Sequence, residues 1–167
     1  MVTKADFTAD EWKLVLGSPM LASLAVTLAD PSGLWGTMKE GMASGLALLA
    51  AKNDAGANAL AKAIAGDMET SEGRAAAREG LKAELTGKSP AEMKQQVLAA
   101  LTQVGAIVSA KDAADAQGFK AWLQQVAQKT AEAASEGGFL GFGGIQISEA
   151  EKATLAEVGK ALGTAQA

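Results

Sequence analysis

Three observations predict an all-α protein. The 49% apolar fraction comes largely from Ala and Leu, with only 4% aromatic residues; capping sequences recur; and apolar residues between them fall three and four apart. Ala-rich helices can approach closely and build a core from many small contacts. At 167 residues the chain suits one domain, able to bury about two thirds of its unfolded surface without disulfide or metal. The expected architecture is a single bundle-like domain over 1–167, of seven or eight helices, with 1–6 and 163–167 as frayed ends.

The first helix begins at a capping box, Thr8 with Glu11, and Phe7 reaches forward to Trp12 as a hydrophobic staple. It is expected to stop near Gly17, because Ser18-Pro19 offers a new cap and a proline at the first helical position. Met20 to Ala29 then forms a second helix, with Leu21, Leu24, Ala25 and Leu28 as its stripe. It has no charged face, which puts it at the centre. Trp35, Met38, Met42, Leu46 and Leu49 mark a third, running to about Lys52. Leu60, Ile64 and Met68 mark a short helix. The next, Ser71 to Leu85, has only Ala77, Leu81 and Leu85 in its stripe and is expected at the surface.

Ser89-Pro90-Ala91-Glu92 combines a capping box with proline at the first helical position. Met93, Val97, Leu101, Val104 and Val108 follow on one face. Ser109 is expected to cap the following helix, which turns Phe119, Trp122, Val126 and Ala133 inward and Gln124, Gln125, Gln128 and Lys129 outward. Ser148 and Glu151 form a last capping box, ahead of the stripe Leu155, Val158 and Leu162.

Two helical runs end in an echoing pattern, Asp30-Pro31-Ser32-Gly33-Leu34-Trp35-Gly36 and Ser135-Glu136-Gly137-Gly138-Phe139-Leu140-Gly141, the second continuing through Phe142-Gly143-Gly144. The echo suggests a pseudo-repeated helix-Gly loop-helix unit near each end of the chain. Large apolar side chains beside glycines are either folded into the core or kept for contact, so Leu34, Trp35, Phe139, Leu140 and Phe142 are the candidate contact residues. Phosphate binding is disfavoured: no Lys-Ser/Thr follows the glycines and no strand is predicted before them.

With 15 basic and 19 acidic residues the formal charge is -4, and no basic stripe offers itself to nucleic acid. The start of the chain has no apolar leader pattern, and no stretch reaches the ~20 uninterrupted apolar residues of a span. With no Cys in the chain, the expected location is cytoplasmic. His and Tyr are absent too, which excludes Ser-His and Cys-His arrangements and argues against an enzyme; no cofactor is implied. Lipid contact by the apolar loops is weakened by Glu136, Glu149 and Glu151 and by the lack of adjacent Lys or Arg.

The late segment Glu136 to Gly144, followed by Ser148-Glu149-Ala150-Glu151-Lys152, resembles a group of small bacterial proteins to which no activity is assigned. The Ala29 to Gly33 turn and the late Ser-Glu-x-Glu-Lys helix start also resemble TerB-type tellurite-resistance domains, which are all-helical with pseudo-repeated halves. The match covers two short segments. It departs from that family at Pro31-Ser32 and at the apolar glycine-rich late loop. The resemblance implies Asp30, Glu40 and Glu151 as acidic positions for a Ca²⁺ or Mg²⁺ response. The function expected from the sequence is a non-catalytic binding or interaction protein, acting through the Gly-apolar loops on a protein partner or a second copy. A TerB-like metal-responsive stress protein and a peripheral lipid-binding protein are the alternatives.

Overall fold

The computed structural model describes residues 2–29, 45, 48, 50–54, 56–85, 89–135 and 147–164. The regular structure among them is entirely helical. A 3₁₀ turn, Lys4–Asp6, precedes six α-helices: α1 (Ala9–Thr27), α2 (Ala59–Met68), α3 (Ser71–Glu84), α4 (Pro90–Lys111), α5 (Ala113–Ser135) and α6 (Glu149–Leu162). Residues 50–53 are also helical.

The break expected at Gly17-Ser18-Pro19 does not occur, and α1 runs through it. Proline lacks the N–H that would reach the carbonyl four residues back, a defect of about 3 kcal/mol inside a helix. Here Ser18 Oγ donates to that same carbonyl, Val15 O, at 2.6 Å and replaces the missing donor. Gly17, Ser18 and Pro19 are all buried, so packing adds to the local repair. The start of α1 follows the sequence reading. Glu11 N donates to Thr8 Oγ1 at 3.2 Å, Thr8 N to Glu11 Oε2 at 2.8 Å, and the Phe7 and Trp12 rings lie 5.5 Å apart.

α1 is the axis of the bundle and packs against each of the other five helices. Val15, Leu16, Leu21, Ala22, Ala25 and Val26 meet Leu60 and Ile64 of α2, Ala77 of α3, Val97, Leu101 and Val104 of α4, Phe119 and Leu123 of α5, and Val158 and Leu162 of α6 in one core. Its lack of a charged face in the second half is thus explained by neighbours on every side. α3 keeps a narrow inward stripe, as its sparse apolar pattern predicts. It comes so close to α1 that a Cβ on Gly80 would lie 2.9 Å from the Lys13 carbonyl oxygen.

Residues 2–6, expected to fray, are held. Val2 is buried and its N–H donates to Asp115 Oδ2 at 2.5 Å. Lys4 Nζ pairs with Asp67 Oδ2 at 2.6 Å, and the same oxygen accepts the Trp12 indole N–H at 2.8 Å. One carboxylate of α2 therefore fastens both the N-terminal turn and the first turn of α1. At the other end α6 closes with Gly163 at φ 71°, Gly163 N bonded to Lys160 O at 3.1 Å and Thr164 N to Gly159 O at 2.9 Å. That is a Schellman ending, in which the left-handed residue needs glycine.

Candidate functional site

Two parts of the fold bring together residues distant in sequence. The first is set by the directions of α1 and α5. Lys111 Nζ, at the end of α4, lies 3.0 Å from Glu11 Oε2, at the start of α1. α5 begins two residues later. Asp112, not Ser109, starts that helix, its Oδ1 accepting from Ala114 N at 2.9 Å and Asp115 N at 3.1 Å. Ser109 stays within α4 and donates to Gly105 O at 2.8 Å, a local bond that removes it from the capping role. α1 and α5 therefore start side by side.

They also finish side by side. Ser23 Oγ and Thr130 Oγ1, near the far ends of the two helices, are buried and 2.9 Å apart. The Thr130 hydroxyl is also 2.9 Å from Val126 O within its own helix. α1 and α5 thus run in the same direction, with α4 between them in sequence running back.

Of the residues singled out in the sequence, Leu34, Trp35, Phe139, Leu140 and Phe142 lie outside the described residues, as do Asp30 and Glu40. Glu151 is described, and it is 8% exposed. Its Oε2 accepts the Ser148 N–H at 2.8 Å while its own N–H bonds Ser148 Oγ at 3.2 Å. Its carboxylate is directed into the cap of α6. Among the described residues, no group of three or more Asp, Glu, His or Cys is arranged to hold a metal, and no helix is long and apolar enough to cross a membrane.

The electrostatics at the helix starts have local causes. Backbone donation from Thr8, then the Lys111 ammonium, holds the Glu11 carboxyl below its ordinary range. Asp112 is lowered by the N–H groups of Asp115 and Ala114, and Asp6 by the Thr3 backbone and hydroxyl. All three favour the charged form because N–H donors point at it. Each of the three carboxylates is held at the start of a helix or helical turn.

The second part is a cleft of about 500 Å³ between residues 50–54 and 56–58 on one side and α5 on the other. Gly118, Ala121, Trp122, Gln125 and Lys129 line it from one face of α5, at helical spacing, with Ala50, Ala51 and Ala57 opposite. Asn58 fixes one border. Its Oδ1 accepts from Leu60 N at 3.0 Å to cap α2, while its Nδ2 donates to Asp115 O at 3.1 Å. Gly118 makes room for that crossing, since a Cβ there would meet Asn58 Nδ2 at 3.0 Å.

Sequence reasoning treated Gln125 and Lys129 as plain solvent-facing positions. Nothing in the chain signals that Ala50, Ala51 and Ala57 stand opposite them. Asn58 has a legible signal as a helix cap, but its second bond, to Asp115, depends on a contact 57 residues away. Trp122 is half-buried and its ring lies 5.7 Å from that of Phe119.

No family model, curated protein or solved structure matches the chain. The resemblance to TerB-type domains rests on the two short segments that carry it.

Proposed function

We propose that the chain is a non-catalytic helical interaction protein whose contact surface lies at the end of the bundle where α1 and α5 both finish. The observation that carries this reading is the contact of Ser23 and Thr130, 107 residues apart in sequence, which makes neighbours of their two helices. Each is followed by one copy of the Gly-apolar pattern. Trp35 is six residues beyond Ala29 and Phe139 four beyond Ser135. At ~3.4 Å per residue the chain keeps them within about 20 Å and about 14 Å of those two positions. Two apolar segments far apart in sequence can therefore act as one patch.

Aromatic and aliphatic residues clustered at one site are the usual energetic centre of a protein interface. The acidic charge of the chain and the flanking of the second Gly-apolar segment by Glu136, Glu149 and Glu151 favour a protein surface or a second copy over lipid or nucleic acid. A photo-reactive residue at Leu28, close to this end, is compared with one at Asp10, at the start of α1, in the native host. Adducts formed from Leu28 and lost when Trp35, Phe139 and Phe142 are changed to Ser support the proposal. Adducts of equal yield from both positions, or none from Leu28, overturn it. The mass of the adduct separates a second copy from another protein.

A further inference from the structure

We propose that the cleft between α5 and residues 50–54 and 56–58 is a binding site for a small planar carboxylate, an aromatic acid of one or two rings. Its volume of about 500 Å³ falls within the range of small-molecule sites, roughly 300–1,000 Å³. The space exists because the lining positions 50, 51, 57, 118 and 121 carry only Ala or Gly. Beside that space stands Trp122, offering an indole ring for an aromatic ligand to pack against.

The polar groups define the charge of the ligand. Among the described residues, none accepts a hydrogen bond from the Trp122 indole N–H, and none pairs with Lys129 Nζ. Lys129 is the cation of the lining, and it sits seven residues, two helical turns, beyond Trp122 on the same face of α5. An ammonium and an indole N–H are donors only, so the complementary group is an acceptor with negative charge. Asp54 is the carboxylate of the lining, and its Oδ1 already accepts the Gly56 N–H at 2.8 Å. This proposal rests on the lining of the cleft and does not depend on the interaction surface proposed above.

The test is titration of the ¹⁵N-labelled protein with naphthalene-2-carboxylate and, in parallel, the uncharged naphthalene-2-carboxamide. Saturable shifts centred on the Trp122 indole and the Ala121 amide are expected for the carboxylate, with the carboxamide about tenfold weaker. Lys129→Gln is expected to erase that difference. Asp54→Asn is expected to leave carboxylate binding unchanged or tighter. Ala121→Leu, an exposed substitution checked for an unaltered melting curve, is expected to fill the space and abolish the shifts. No saturation at millimolar probe, equal affinity for acid and amide, weaker carboxylate binding in Asp54→Asn, or shifts that survive Ala121→Leu would each overturn the proposal.

Discussion

Gly80→Ala is expected to destabilise the protein, against the usual sign for glycine inside a helix. In an open helical position the change to Ala gains about 0.5–1 kcal/mol, because the unfolded chain loses freedom and the helix loses none. Gly80 is different because its missing Cβ faces the backbone of α1, 2.9 Å from the Lys13 carbonyl oxygen and 3.2 Å from its carbon. A backbone carbonyl inside a helix cannot swing aside as a side-chain tip can. Ordinary contact begins near 3.4 Å, so α3 must move away from α1 by about 0.5 Å. That shift loosens the buried Ala77 and the half-buried Leu81, which share the same face.

Overpacking of this kind costs about 1–3 kcal/mol, which set against the propensity gain leaves a net loss of up to about 2.5 kcal/mol. Gly66→Ala is the internal control, since nothing lies within 4 Å of a Cβ there. It is expected to gain up to about 1 kcal/mol. Urea unfolding of both variants measures the two free energies. In thermal unfolding each kcal/mol corresponds to a Tm shift of about 2–4 °C for a chain of this size. If Gly80→Ala proves as stable as Gly66→Ala, the close crossing of α1 and α3 is wrong.

Three further outcomes are expected. A double-mutant cycle of Ser23→Ala and Thr130→Val should show a coupling of about 1 kcal/mol in urea unfolding; a coupling near zero would remove the contact that aligns the ends of α1 and α5. Glu151→Ala should lower stability by about 0.5–2 kcal/mol through loss of its cap, equally with Ca²⁺ or with chelator present; a Ca²⁺-dependent difference would instead favour the metal-responsive reading. Acid should destabilise the protein through Asp6, Glu11 and Asp112. Their folded carboxyls are held below the ordinary 3.8 of Asp and 4.5 of Glu, so the unfolded chain takes up protons first. The stability they supply is complete above those ordinary values and is lost as pH falls through the lower folded ones. Tm followed from neutral pH into acid should fall less steeply for Glu11→Gln than for the unaltered chain, and parallel curves would contradict this assignment.

Helix starts were the most legible part of this protein. Thr8 with Glu11, Ser89 with Glu92 and Ser148 with Glu151 all form the reciprocal caps their spacing predicts, because a cap is satisfied within four residues and needs nothing from elsewhere. The inward stripes of α4 and α6 were legible for the same reason of local periodicity. Helix continuity was not. Ser18-Pro19 reads locally as a start, and only burial of that segment, with the Ser18 hydroxyl bonded to Val15 O, makes it the middle of α1. Ser109 failed as a cap because a bond to the carbonyl four residues back was available inside its own helix.

By itself the sequence determined the all-helical class, the positions where most helices begin, and the residue types from which contact or chemistry must be built. Those properties depend on groups within a few residues of one another. Tertiary structure alone decided that α1 and α5 share a direction, that Asp67 fastens both Lys4 and Trp12, and that Asn58 stands across from Gly118 at the edge of a cleft. Each joins residues more than fifty positions apart. Such pairs form only when the shared core around α1 brings their helices together, and no local pattern encodes which distant partner that core will supply.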